Sequence, residues 1–367
     1  MKKLTLYAAT LLAAFAMIAC EDPEPTPNEN PNQGTETCTV VELMYTLETL
    51  LAIGDYGEDI PDILEKLAYN ALPAAFTPDM SGHQYDQQVN QVACQKTMIM
   101  APFSTNGPYA HTFGLEPNFG CCTANFNQGW PKFALSAFMH KDNTVINTVM
   151  LPCVLEDKDV TIRLETEYPF KNKSHYYIEA EKDFDFIIRI PSFAKNLRVN
   201  GENAEEKDIG MKIKAGKTEI ELEFTTTPYL KTRPNDLHVL QMGSLLFSVP
   251  VSYEKKMREY TRFGVERKFP YCDYQFIPKT PWNYGFTDTV FDVQYADVGE
   301  IPFSQNKPPV TITANLQQIG WGLKFPYRSI CRKTPASTLP VSDVQKIRLY
   351  PYGCARLRMT EMPVIKK

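Results

Sequence analysis

The sequence predicts an α+β multidomain protein in which a helical block is followed by antiparallel β-sandwich domains. Two patterns carry this reading. From about Gly34 to Asp142 apolar residues recur at helical spacing, and from about Asn143 onward apolar and polar residues alternate with a period of two. At 367 residues the chain is long enough for two or three domains, each burying its own core.

Residues 1–20 read as a targeting segment that belongs to no fold. Lys2 and Lys3 form a positive start, Leu4 to Ala19 an apolar run, and Met17-Ile18-Ala19-Cys20 resembles a bacterial lipobox whose cysteine becomes the lipidated N-terminus. The plainer alternative is an ordinary signal peptide in which Cys20 is a coincidence. Either reading sends the protein out of the cytoplasm, as a periplasmic or outer-membrane lipoprotein of a bacterium in the first case. Residues 21–33 contain prolines 23, 25, 27 and 31 and almost no apolar side chain, so they form an extended tether rather than a packed element.

In the helical block, Val40, Leu43, Met44, Leu47, Leu50 and Leu51 form the buried stripe of a first helix, and Thr39 with Glu42 fits a capping box at its start. Glu36 and Cys38 then fall just before the helix, where extended backbone points residues i and i+2 to the same side. A second helix has Asp59 as cap, Pro61 in its first turn and Pro73 as its stop. A third follows Cys121-Cys122 with Phe126, Trp130, Phe133, Ala134, Ala137 and Phe138 on its apolar face, Gly129 and Pro131 bending or delaying it. The polar stretch between Phe76 and Phe119 is too long for an inert connection.

Strands are expected at 161–165, 184–190 and 218–224, with Val199-Asn200-Gly201-Glu202 as a tight hairpin turn. Further strands fall at 237–251 and 347–359. The domain boundaries on this reading are 34–142 for the helical block, 143–250 for a β-sandwich and 251–367 for a second β-rich domain. A net charge of −5 gives no basic surface for phosphates and excludes a nucleic-acid partner from the expectations.

Setting Cys20 aside, eight of the nine cysteines remain, an even number that makes disulfides a fair alternative in an exported chain. They are sparse for a disulfide scaffold, and most of Cys94, Cys153, Cys272, Cys331 and Cys354 read as small buried hydrophobes. The exceptions are Cys38, Cys121 and Cys122. Three thiols and the Glu36 carboxylate converging at the ends of two helices have the chemistry of a soft metal site, suited to zinc rather than to calcium or magnesium. The spacing is not that of a zinc finger, since residues 39–120 intervene. A thiolate at a helix N-terminus beside a metal is either an inert ligand or a nucleophile.

Several stretches together resemble glycoside hydrolase family 127 and its sister family 146, the β-L-arabinofuranosidase-type enzymes. They are GTETCTVVELMYTLE, HQYDQQVNQV, FGCCTANFNQGWPKFALSAF, FIIRIPSFA followed by VNG, VLQMGSLLFSVPV and LYPYGCARLRMTEMP. The resemblance implies a partial (α/α)6-barrel helical segment at 34–142 ahead of the β-sandwich domains. It implies a zinc site of Glu36, Cys38, Cys121 and Cys122, with Cys121 as nucleophile in a retaining mechanism through a thioglycosyl intermediate, and Tyr85 with His83 contacting the sugar. The acid/base of such a mechanism falls on Glu29 in Asn28-Glu29-Asn30.

The resemblance also implies barrel helices ahead of the Glu-x-Cys motif, where this sequence has the proline-rich tether. Two functions follow. One is an exported zinc-dependent glycosidase acting on arabinofuranoside-containing plant glycans, touching the membrane only through its lipid anchor. The other is a truncated, catalytically impaired relative that serves as a metal-stabilised or carbohydrate-binding surface lipoprotein.

Overall fold

The structure is a computed structural model that describes residues 31–54, 59–97, 107–114, 120–205, 207–325, 327 and 329–365. The targeting segment, Cys20, Glu29 and nearly all of the tether lie outside the described residues.

The helical block is small. Strand β1 (Gly34–Glu36) runs into helix α1 (Thr37–Ile53). Helix α2 (Asp59–Lys66) continues through a π-helical turn at Leu67–Ala71 and a last turn at Leu72–Ala74 that contains Pro73. Short strands β2 (His83–Gln84), β3 (Asp86–Gln88) and β4 (Phe113–Gly114) precede helix α3 (Gly120–Leu135). Helix α1 starts three residues earlier than a cap at Thr39 indicates. Its N-cap is Glu36, which makes no side-chain cap bond, so the Thr39–Glu42 capping box does not form. The start is set by tertiary structure, because Thr37 donates its hydroxyl to the Gln84 carbonyl at 2.7 Å and its N–H to the Tyr85 carbonyl at 2.9 Å. Helix α3 is not delayed by Gly129 or Pro131. A Cβ at Gly129 would lie 2.8 Å from Leu72 Cδ2, so that glycine lets α3 press onto the end of the second helical segment. Trp130 completes the contact, donating its indole N–H to the Ala68 carbonyl at 3.1 Å and meeting Phe76 edge-on.

From residue 138 onward the described chain is almost entirely β. A four-stranded sheet (138–141, 144–147, 184–188 and 209–213) and a six-stranded sheet (153–157, 160–166, 173–180, 195–199, 202–203 and 216–225) share one core. Their alternation is that of the sequence, with Ile162, Leu164, Tyr176, Ile178, Ile220, Leu222 and Phe224 from one sheet meeting Val145, Phe184, Phe186 and Ile188 from the other. Asn200 and Gly201 both take positive φ, 52° and 81°, and Val199 pairs with Glu202, the two-residue hairpin turn expected of Asn-Gly.

A nine-stranded sheet draws on strands between Tyr229 and Pro250 and again between Tyr284 and Pro363. Between them the chain leaves that sheet as β5 (Tyr253–Arg258), β6 (Tyr260–Arg262), β7 (Val265–Arg267) and β8 (Asp273–Pro278). Strand β8 pairs with β4, and β4 with β2, so this excursion and the helical block share a four-stranded sheet in the order β5-β8-β4-β2. The fold is thus mostly β with few helices in several sheets, and the described residues do not display an (α/α)6-barrel segment.

A buried ionic cluster fastens α2 to the sandwich. Arg189 donates to Glu65 at 2.8 Å and pairs with Asp62, Tyr168 donates to Glu65 at 2.5 Å, and Ser192 binds Asp62. Glu65 is fully buried and Arg189 nearly so. All eight described cysteines are free, and five of them are buried.

Candidate metal centre

Two helix N-termini meet at the centre. Cys38 lies in the first turn of α1, and Cys121 and Cys122 in the first turn of α3, so the positive ends of both helix dipoles face the sulfurs. Glu36 is delivered by β1, which pairs with β3 in the register Gly34–Gln88, Thr35–Gln87 and Glu36–Asp86.

The ligand atoms of Glu36, Cys38, Cys121 and Cys122 all lie within 4.8 Å of one another. Cys38 Sγ is 3.3 Å from Cys122 Sγ, and Cys121 Sγ is 4.0 Å from Glu36 Oε1. A tetrahedral zinc with sulfur ligands at ~2.3 Å sets sulfur–sulfur edges of roughly 3.8 Å. The four atoms therefore fit one soft divalent ion, and the donor set matches zinc chemistry. Burial pushes the Cys38 thiol up to about 11 while Asn125 opposes it, and burial with the Cys38 neighbour drives Cys122 higher still. A bound cation inverts that order. Cys122 is fully buried and Cys121 is exposed, so the leading sulfur of the doublet is the one open to solvent.

Around the cluster, Tyr85 is held protonated by partial burial and by the adjacent Glu36 carboxylate. His83 is buried, and its Nε2 lies 2.7 Å from the hydroxyl of Thr123, the residue after the doublet. Two neighbours escaped sequence reasoning. Asp86, opposite Glu36 on the ribbon, has its carboxyl raised to about 7 by burial and then by Glu36. His111 contacts the Asp86 carbonyl through Nδ1 at 3.1 Å, and burial lowers its pKa to about 4. Asp86 stood inside the HQYDQQ stretch, but His111 carried no pattern that could have singled it out.

No family model matches the sequence, and no curated protein matches it. Solved structures do. Ara127N-Se, a GH127 β-L-arabinofuranosidase from Geobacillus stearothermophilus T6, aligns with a TM-score of 0.59 and 16% identity, covering 92% of this chain and 50% of that one. The fold is GH127-like. A structure described as a glycoside hydrolase gives 0.58 at 14% identity over 92% of this chain and 53% of the other. BT3674, a GH127 β-arabinofuranosidase, gives 0.52 at 15% identity over 91% and 50%. The chain therefore spans about half the length of the structures it matches.

Proposed function

We propose that this chain carries the thiol and metal side of a retaining glycoside hydrolase of the β-L-arabinofuranosidase type, of family 127 or its sister family 146, acting on arabinofuranoside-containing plant glycans. The supporting observation is the meeting of Glu36, Cys38, Cys121 and Cys122 at two helix N-termini with only the Cys121 sulfur exposed, inside a GH127-like fold. Glu36, Cys38, Cys121 and Cys122 would hold zinc, which supplies the positive charge that keeps the sulfurs deprotonated.

In this reading the Cys121 sulfur bonds to the anomeric carbon as the glycosidic carbon–oxygen bond breaks, and the leaving oxygen takes a proton from Glu29. Water, losing a proton to the same carboxylate, then displaces the sulfur, so configuration is retained. Tyr85 and His83 border the position of the sugar. Export as a lipoprotein anchored through Cys20 belongs to the same proposal. A second reading is a catalytically impaired relative serving as a metal-stabilised or carbohydrate-binding surface lipoprotein, for which the same cluster of Glu36, Cys38, Cys121 and Cys122 would be a structural site.

Release of an aryl group from an aryl β-L-arabinofuranoside distinguishes the two. The glycosidase reading expects turnover that Cys121→Ala abolishes and Glu29→Gln reduces. Stoichiometric zinc in protein that shows no turnover would leave only the second reading, and substoichiometric zinc in reduced protein would remove the cluster from both.

A further inference from the structure

We infer that the chain carries a second ligand site, for the carboxylate of a uronic-acid-bearing saccharide, walled by Tyr109 and by the start of the β6–β7 hairpin. From the glycosidase reading this takes only that the ligand is a saccharide.

The site is tied to the metal centre by strand register. On the β5-β8-β4-β2 sheet, Arg258 stands opposite Asp273, the pairing of Tyr274 with Phe113 sets Asp273 beside Gly114, and Gly114 stands opposite His83. Residues opposite one another across strands share a face, so Arg258, Asp273 and His83 form one row. The close fit between strands confirms the row, because a Cβ at Gly114 would lie 2.7 Å from Asp273 Oδ1. At ~4.8 Å between neighbouring strands the row is about 14 Å long, and since Asp273 and His83 are buried it links the two places through the sheet. Its far end is His83, whose ring meets Thr123 next to the cysteine doublet.

At the near end a cavity of about 160 Å³ is lined by Tyr109, Arg258, Tyr260, Thr261, Arg262 and Asp273. Its size suits one charged substituent and part of a ring. The Arg258 guanidinium lies over two aromatic rings, 5.0 Å from that of Tyr109 and 5.3 Å from that of Tyr260, and Lys96 lies 4.7 Å over the Tyr109 ring. Such stacking orients a planar fork before any ligand arrives, the arrangement that binds carboxylates in a bidentate manner. Asp273, the carboxylate in the cavity wall, is buried and accepts the Tyr260 hydroxyl at 3.1 Å, with Arg258, Arg262 and Arg267 as its charged neighbours. Cations therefore outnumber it, while the tyrosine rings and hydroxyls suit the faces and hydroxyls of a pyranose. Phe263 in the hairpin turn and Phe269 just past β7 are both exposed. They would also suit an anionic lipid surface, but a membrane contact does not account for the arginine stacked within a row that leads to the cysteines.

The test is calorimetric titration of the full chain with tetragalacturonate, with its methyl ester, with a sulfated oligosaccharide of equal charge and with phosphatidylserine vesicles. Arg258→Ala, Arg258→Lys and the double variant Arg258→Ala/Arg262→Ala are compared at matched thermal midpoints. Tetragalacturonate should bind, esterification should weaken it at least about tenfold, and the double variant by about ten- to hundredfold, as loss of charge-assisted hydrogen bonds predicts. Arg258→Lys should restore part of the loss, and added salt should weaken binding. Absence of tetragalacturonate binding, equal affinity for the ester, equal affinity for the sulfated chain, or arginine-dependent binding of vesicles alone would each overturn the inference. Binding of tetragalacturonate by the unsubstituted, zinc-loaded chain that shows no turnover of the aryl arabinofuranoside would refute the glycosidase reading and leave this site standing.

Discussion

Replacing Arg189 by methionine removes the charge that holds α2 to the sandwich while preserving most of the side-chain volume. Arg189 pairs with Asp62 and with the fully buried Glu65, whose other oxygen accepts the Tyr168 hydroxyl and which also receives the Met150 N–H at 3.1 Å. Removing one member of a buried pair costs about 3–5 kcal/mol, because the charge left behind is uncompensated. Burial already pushes the Glu65 carboxyl up to about 8 with Arg189 in place, opposed by Tyr168 and Met150; loss of the neighbouring cation raises it further in the variant, which escapes part of that cost by keeping the proton. A carboxyl whose folded pKa lies above its unfolded value binds more protons when folded, and its contribution is lost as pH rises through the folded pKa. The variant should therefore lose about 3 kcal/mol near pH 6 and closer to 5 kcal/mol near pH 9. Urea denaturation followed by tryptophan fluorescence reads both values. Trp130 ties α3 to the segment that continues α2, so zinc content should fall in the same variant. A loss under about 1 kcal/mol with no dependence on pH would refute the reasoning.

Two further outcomes follow from the centre and its surroundings. His111 is fully buried with its pKa lowered from 6.5 to about 4, so the folded state binds fewer protons than the unfolded one. Stability is then complete above about pH 6.5 and declines toward pH 4 by about 3 kcal/mol in total, and His111→Gln should flatten the dependence of the urea midpoint on pH between those values. Chelation of zinc should lower amide protection in the first turns of α1 and α3 and leave the strands of 160–166 and 173–180 unchanged, as measured by hydrogen exchange; equal protection throughout would show that the cluster does not fasten the helical block.

Features written in local pattern were legible in the sequence. The Asn200-Gly201 turn, the leucine stripe of α1, the inward alternation of 160–166 and the Glu-x-Cys and Cys-Cys motifs each depend on neighbours a few positions away. What escaped depends on distant partners. The α1 start follows Thr37 reaching residues 84 and 85, and nothing around Thr39 distinguishes it from a true cap. The β5-β8-β4-β2 sheet joins residues near 83 and 113 to residues near 255 and 275, with strands of two residues that leave no periodicity. Arg189, Arg356 and Arg358 carry the hydropathy of surface residues and are buried because carboxylates, carbonyls and Tyr352 converge on them.

Residues 352–361 carry one more consequence. Arg358 donates to the Gln88 carbonyl at 2.7 Å, Tyr352 to Gln87 Oε1 at 3.1 Å, and Gln91 and Asn90 donate in turn to the carbonyls of Arg356 and Glu361. The ribbon that presents Glu36 is thus buttressed by residues that lie 270 positions later in the chain. A growing chain has all three thiols of the doublet and its partner in hand long before that buttress arrives. Until it docks, the ribbon that holds Glu36 beside them lacks its support, so the thiols are made well before the chain segment that fixes their carboxylate partner in place.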